Sequence, residues 1–394
     1  MTPAADPPRL PFAREGLFTP SSEHRALQAR GTIHRVLTAV GDSAWLVTGY
    51  EAVRLLFDDE RVGRAHRDPE NASRTGESAF FGGPIGNFDT EHADHARGRR
   101  LMQRHFAPKQ MRALVVGVRA NIAELLDEML GQGSSADFYA AMALPLPMRV
   151  LCELLGVPHA DRDDFRMWTA AATNTRDNAR SQWGIGQLYM YGTELVGRKR
   201  REPGDDVISR LCATDGVTDH EIASQSMALL LGGHETTVIQ LSLATLLLLT
   251  RRDQWELLVR QPNLVGNAVE ETLRASRTGG GEIPRYARED FEIGAAAISA
   301  GDLLLLDVGA ANHDQTVFDD PDLLDIARNT SGHLTFGHGA RYCVGAPLAR
   351  LQLTEVITAL VDRVPSLHLG GDISELVMRD GSLTGGFTNI PVAW

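Results

Sequence analysis

Cysteine is scarce in this chain. Three are present in 394 residues, Cys152, Cys212 and Cys343, and they lie far apart. That spacing excludes a disulfide framework and a C-x-x-C zinc or redox pair, and it points to a reduced, cytoplasmic compartment. Positive charge is in deficit: 39 Lys and Arg against 51 Asp and Glu give a net charge of −12 at pH 7. A nucleic-acid binder would carry a basic footprint, so that class is excluded; the acidic total favours solubility. The opening MTPAADPP has neither a basic nor an apolar stretch, so no secretory leader is expected. Long apolar runs are missing too. The most apolar region, MALLLGGHETTVIQLSLATLLLLT (227–250), is interrupted by His234, Glu235 and Gln240. A span needs about 20 predominantly apolar residues, and ionisable groups in mid-membrane are costly. The expectation is one long buried helix through the middle of a soluble protein.

Repeats, low-complexity tracts and Gly/Ser linkers are absent as well. We expect a single domain over residues 1–394, with residues 1–30 as a Pro-rich wrap. Hydrophobic residues make up 43% of the chain, ample for a large core. HRVLTAV and SAWLVTG, split by GD, read as a hairpin, and YEAVRLLFDD as a helix. Residues 61–89 read as loop. From Glu91 onward helices dominate: 92–106, 111–131, 138–156 (interrupted by two prolines), 159–174, 180–201, 227–250, 251–261, 264–276 and 346–364 carry apolar residues at helical spacing. Short strands are expected at 282–289, 291–298 and 302–309, with a terminal hairpin in TGGFTNIPVAW. The fold class is mainly α with a minor β part.

The stretch HLTFGHGARYCVG frames Cys343 with glycines. Glycine permits tight turns and close backbone approach, so this is a loop pressed against something. The helix that follows would favour a thiolate through its dipole and free N–H groups. Such a thiolate can be a nucleophile, a redox sensor or a metal ligand; a lone cysteine in a Gly turn can also be purely structural. No His/Asn partnership for a nucleophile is visible nearby.

The pattern F-G-x-G-x-R-x-C-x-G, formed by Phe336, Gly337, Gly339, Arg341, Cys343 and Gly345, resembles the haem-binding loop of the cytochrome P450 family. The resemblance runs from about Arg35 to the C-terminus. It implies a cytochrome P450 fold: a single triangular domain with haem b between a long central helix and the helix after the cysteine. It implies that Cys343 is the axial thiolate to iron, ligation that favours O–O cleavage, with Phe336 screening the sulfur.

Other landmarks of the family follow in order. Glu271 and Arg274 are three apart on one helix face and can pair; with Arg328 they match the family's buried structural network. Gly232-Gly233-His234-Glu235-Thr236-Thr237 is similar to its oxygen-binding groove. Two glycines in mid-helix cost roughly 1 kcal/mol each, and threonine can bond back and loosen the turn. Thr236 matches the alcohol that donates to dioxygen and Glu235 the acid that feeds protons inward. His234 reads as structural, and Gly232 stands where alanine is commoner. His95 and Arg99, at i and i+4, match the pair that holds the haem propionates, joined by Arg285 and Arg341. Dry carboxylates need such cations.

The resemblance also implies partners. Arg97, Arg100, Arg104, Lys109 and Arg341 make a basic face on an acidic chain, where a small acidic ferredoxin, fed by a ferredoxin reductase, would dock. Substrate walls are expected at 80–88, 168–191, the segment after Arg274, and 387–389. Glycines at 279–281 replace bulkier family residues. The implied activity is a haem-thiolate monooxygenase inserting one oxygen of O2 into a lipophilic small molecule, by hydroxylation or epoxidation, in the tailoring of a polyketide- or macrolide-type natural product. The alternatives are a peroxide-driven haem oxygenase and a non-catalytic haem sensor.

Overall fold

Apolar spacing becomes helix in every stretch where it is expected. A computed structural model describes residues 7–13, 15–18, 21–276, 282–330, 332–379, 381 and 386–394. The N-terminal part is more than a wrap: it holds α1 (Ser22–Gln28), whose cap Ser21 accepts from the His24 N–H. The expected first hairpin follows as β1 (Ile33–Leu37) and β2 (Ser43–Val47), in register Ile33 to Val47. Then come α2 (Tyr50–Asp58) and a two-residue strand, β3 (Val62–Gly63), in the region read as loop.

The helical body comprises α3 (Glu91–Gln103), α4 (Pro108–Leu130), the strand β4 (Ser135–Asp137), α5 (Pro145–Leu155), α6 (Arg162–Ala172), α7 (Asn178–Arg201), α8 (Val207–Cys212), α9 (Asp219–Gly233), α10 (Glu235–Thr250), α11 (Arg252–Arg260) and α12 (Val265–Ala275). The two prolines expected to interrupt 138–156 sit at the start of α5, after a π-turn over Tyr139–Ala143. Proline lacks an N–H and is tolerated in a helix's first turn. Next come β5 (Glu282–Ala287), the hairpin β6 (Phe291–Ile293) and β7 (Ala296–Ile298), β8 (Leu303–Asp307), α13 (Val308–Ala311), α14 (Ala346–Arg363), β9 (His368–Leu369) and β10 (Pro391–Ala393).

The main sheet has the order β1-β2-β8-β5-β3. Its middle strand β8, all leucine until Asp307, is buried throughout. The last strand does not close a hairpin of its own. β10 pairs antiparallel with both β4 and β9, and Phe387 bridges Met378. Period-2 alternation cannot name a strand's partner, and here the partners lie far away in sequence. Residues 384 and 385 of the expected hairpin lie outside the described residues.

The central helix is as buried as expected. Every residue of α10 from Val238 to Leu249 except Gln240 is enclosed, so it carries no polar stripe. It is not one helix, however. α9 and α10 meet at His234 (φ −80°, ψ −73°). Thr236 and Thr237 donate their hydroxyls back to the Gly232 and Gly233 carbonyls at 2.5 and 2.7 Å, which loosens the turn. Among the described residues, no helix is long and apolar enough to cross a membrane.

Glu271 and Arg274 form the brace expected of them. Both side chains are fully enclosed, joined by two 2.8 Å hydrogen bonds. Glu271 also accepts from the Asp325 N–H at 3.0 Å and from Arg328 at 3.3 Å. Arg274 donates to the carbonyls of Asn312 and Pro321, both at 2.9 Å. One ion pair thus pins the end of α12 to the chain leading into the Cys343 loop. Removing one partner strands a buried charge, at a cost of about 3–5 kcal/mol. Arg274→Ala is expected to drop the thermal midpoint steeply or to abolish soluble expression. A midpoint within a few degrees of wild type would contradict this.

Candidate active site: a cysteine loop, a broken helix and an arginine cluster

Cys343 lies in a loop closed on itself. Its N–H donates to the Phe336 carbonyl at 2.8 Å, and the Gly337 N–H donates to Leu334 at 2.8 Å. Gly337 and Gly339 have φ of +74° and +65°, the left-handed region that suits glycine. Gly345 lies beside the sulfur: a Cβ there would stand 3.9 Å from Cys343 Sγ, in ordinary contact. The thiol is accessible, yet protein surrounds it on the other sides. Burial pushes its pKa up, against the N–H groups of Gly345 and Ala346 and the charges of Arg99 and Arg350. The helix start alone therefore does not make a free thiolate here. A metal cation would, since coordination deprotonates a thiol outright.

The loop is tied down by its neighbours. Arg99 donates to the Tyr342 carbonyl. Arg350 donates to the Tyr342 hydroxyl at 2.9 Å and to both oxygens of Glu270 at 2.6 and 2.8 Å. Its guanidinium lies 4.5 Å over the Phe336 ring. Burial would raise Glu270, but hydrogen bonds from His333 and Arg350 outweigh it and hold the carboxyl at about 2.

The predicted cations converge. His95, Arg99, Arg285 and Arg341 come from α3, β5 and the cysteine loop, and Arg64 joins them. Arg285 is 5% exposed; burial, then the charges of Arg64 and Arg341, lower it to about 9. Arg64 is lowered by burial and by Arg341, and its Nη2 is enclosed without a partner. His95 is held at about 4 by burial, then Arg341 and Arg99, so it is neutral. The carboxylate facing this group is Glu91, which takes Arg341 at 2.5 Å and Arg288 at 3.2 Å. Arg341 is thus turned inward, not displayed on the basic face; Arg97 there is paired with Glu221. Arg100, Arg104 and Lys109 remain exposed.

At the helix break, burial alternates sharply. His234 and Glu235 are 4% and 8% exposed, whereas Gly232 and Thr236 are accessible. No atom lies within 4 Å of a Cβ built on Gly232, while one on Gly233 would meet Leu151. Burial keeps His234 neutral, at about 4. Burial pushes Glu235 up to about 7, against the nearby Thr173 hydroxyl and the charge of Arg379. Among the described residues its Oε2 has no partner.

The expected substrate walls fare unevenly. Phe80 and Phe81 stack edge to face at 4.5 Å in their loop. Trp168 and Tyr191 pack with Phe165 between α6 and α7, and Phe387 is fully enclosed. Tyr191 and Phe387 are buried and Trp168 is half-buried against the core. Ser276 holds Gln240 at 3.0 Å. The glycines at 279–281 lie outside the described residues. Sequence reading missed Glu91, Arg64 and Thr173. Only Glu91 left a trace, one turn before His95 on the same helix face.

Comparison with known proteins defines the class. The cytochrome P450 family profile matches residues 251–364. Pentalenolactone synthase of Streptomyces exfoliatus is 39% identical, over 98% of this chain and 99% of its own. Mycinamicin IV hydroxylase/epoxidase of Micromonospora griseorubida is 36% identical over 99% and 100%. The X-ray structure of PimD, a pimaricin epoxidase, superposes with a TM-score of 0.88 at 34% identity over 99% and 100%. The chain belongs to the cytochrome P450 family and has its fold. It is a monooxygenase, an oxidoreductase that uses O2 and redox partners on small molecules.

The family carries haem iron on a cysteine thiolate, and the residues here fit that group. The arginine cluster exceeds its carboxylates and has an unpartnered buried donor, as two propionates require. The exposed sulfur of Cys343 and the accessible face at Gly232 and Thr236 would suit haem held on that cysteine.

Glu235 leaves a mark on stability. Its folded pKa, about 7, stands above the 4.5 of an exposed glutamate. Its contribution is fully present below about pH 4.5 and is lost as pH rises through 7, roughly 3 kcal/mol in all. Glu235→Gln is expected to flatten this slope: its thermal midpoint should gain on wild type from about pH 5 to pH 8. Parallel pH profiles would contradict the assignment.

Proposed function

We propose that this protein holds haem b with Cys343 as the axial thiolate and hydroxylates or epoxidises a lipophilic natural product of the polyketide or macrolide type. When bound, haem iron supplies O2 activation, with one oxygen atom going to the substrate and the other to water. The names of the mycinamicin and pimaricin enzymes support the substrate class.

The chain's own residues have distinct tasks. Arg64, Arg285, Arg99 and His95 receive the two propionates, and Gly337, Gly345 and Phe336 shape the thiolate's bed. Gly232 opens the face on which O2 and substrate meet, and Gly233 gives room to Leu151 behind it. Thr236 holds a proton on its hydroxyl, now donated to the Gly232 carbonyl, and can turn it toward O2. Glu235, poised near neutrality, replaces that proton. An acid works best when its pKa lies near the working pH. Arg100, Arg104 and Lys109 form the basic face for a ferredoxin, itself reduced by a ferredoxin reductase; local positive potential steers that encounter.

The observation that carries this reading is the break at His234, which sets a neutralised acid and an accessible alcohol in adjacent positions of a buried helix. That pair argues against the peroxide-driven and non-catalytic alternatives, neither of which needs proton delivery to O2. The test is product formed per NADH consumed, with a surrogate ferredoxin and reductase. Thr236→Ala is expected to lower this ratio roughly tenfold or more while NADH consumption continues. An unchanged ratio would remove Thr236 from oxygen activation, and turnover supported equally by hydrogen peroxide alone would favour the peroxide-driven alternative.

A further inference from the structure

Glu91 is a buried carboxylate in the first turn of α3, 6% exposed. An acid at that position ordinarily serves the free N–H groups of its own helix. Glu91 does not. Its oxygens accept from the backbone N–H groups of Arg64 at 2.5 Å and Ala65 at 3.1 Å. They also accept from Arg341 at 2.5 Å and Arg288 at 3.2 Å. All four bonds leave the helix. They tie together the segment after β3, the segment after β5 and the cysteine loop.

Space has been made for this carboxylate. A Cβ on Gly63 would stand 2.3 Å from Glu91 Oε2. The backbone at Gly63 is not left-handed, so glycine is there for room. Meanwhile Arg64, held by its backbone to Glu91, keeps an enclosed Nη2 without a partner. Among the described residues Arg285 donates only to the Pro284 carbonyl of its own strand, at 2.9 Å.

We propose that Glu91 is a positioning residue for the cofactor's carboxylates. It takes up the charge of Arg341, fixes the backbone from which Arg64 extends, and leaves Arg64 and Arg285 to meet the propionates. With haem bound, its negative charge would also oppose the addition of an electron to that group. The inference rests on the haem reading above.

The test is a potentiometric titration of the holoenzyme, with the rate of haem transfer to apomyoglobin. Glu91→Gln keeps the shape and removes the charge. Its haem reduction potential is expected to shift positive and its haem to leave several-fold faster. Gly63→Ala keeps the charge but displaces the carboxylate, and should also speed haem loss. If Glu91→Gln does not fold, Gly63→Ala decides alone. A wild type with a thiolate-type Soret band, and variants matching it in potential and transfer rate, overturns this inference alone. A wild type without that band overturns the haem reading and this inference with it.

Discussion

Like charges brought out of water repel one another, and this protein brings several arginines together. The charges of Arg64 and Arg341 lower Arg285's affinity for its proton, and Arg341 lowers that of Arg64; Glu91 stands against Arg341 and Arg288. Such a cluster is costly by itself, since an enclosed donor such as Arg64 Nη2 has lost its water. A dianionic ligand relieves that cost. Arg341 shares its loop with Cys343, and Arg99 bonds the Tyr342 carbonyl beside that cysteine.

Holding those pieces requires rigidity, and two adjacent glutamates supply it. Glu271 binds Arg274 and Arg328 and anchors the chain that leads into the loop. Glu270 binds Arg350 and His333 and, through Arg350, the Tyr342 hydroxyl next to the cysteine. The central helix gives up regularity at one turn. Two back-bonded threonines and two glycines loosen it, and the cost is offset by the buried leucines of α10, each worth roughly 1.5–3 kcal/mol.

What was legible in the sequence was local. The cysteine motif, the Glu271–Arg274 spacing and the His95–Arg99 pair each lie within a few residues, so one turn or one helix face suffices to read them. The helices were legible because their apolar spacing persists over many residues. Arg64 and Thr173 were not: each enters the site only through tertiary contact, from a loop and from a helix end. The break at His234 was hinted at by its glycines, but periodicity runs unbroken across it. Trp168 and Phe387 look alike in sequence whether they line a cleft or fill a core; here Phe387 is fully enclosed and Trp168 half-buried. The final strand's partners, β4 and β9, were beyond any local pattern.

The central claim is that Cys343 is a thiolate ligand to haem iron. The most direct measurement is the absorption spectrum of the reduced protein with carbon monoxide, for wild type and Cys343→His. The account predicts a strongly red-shifted Soret band in wild type that is lost in the variant. A wild-type band like that of a histidine-ligated haem, or no haem at all, would contradict it.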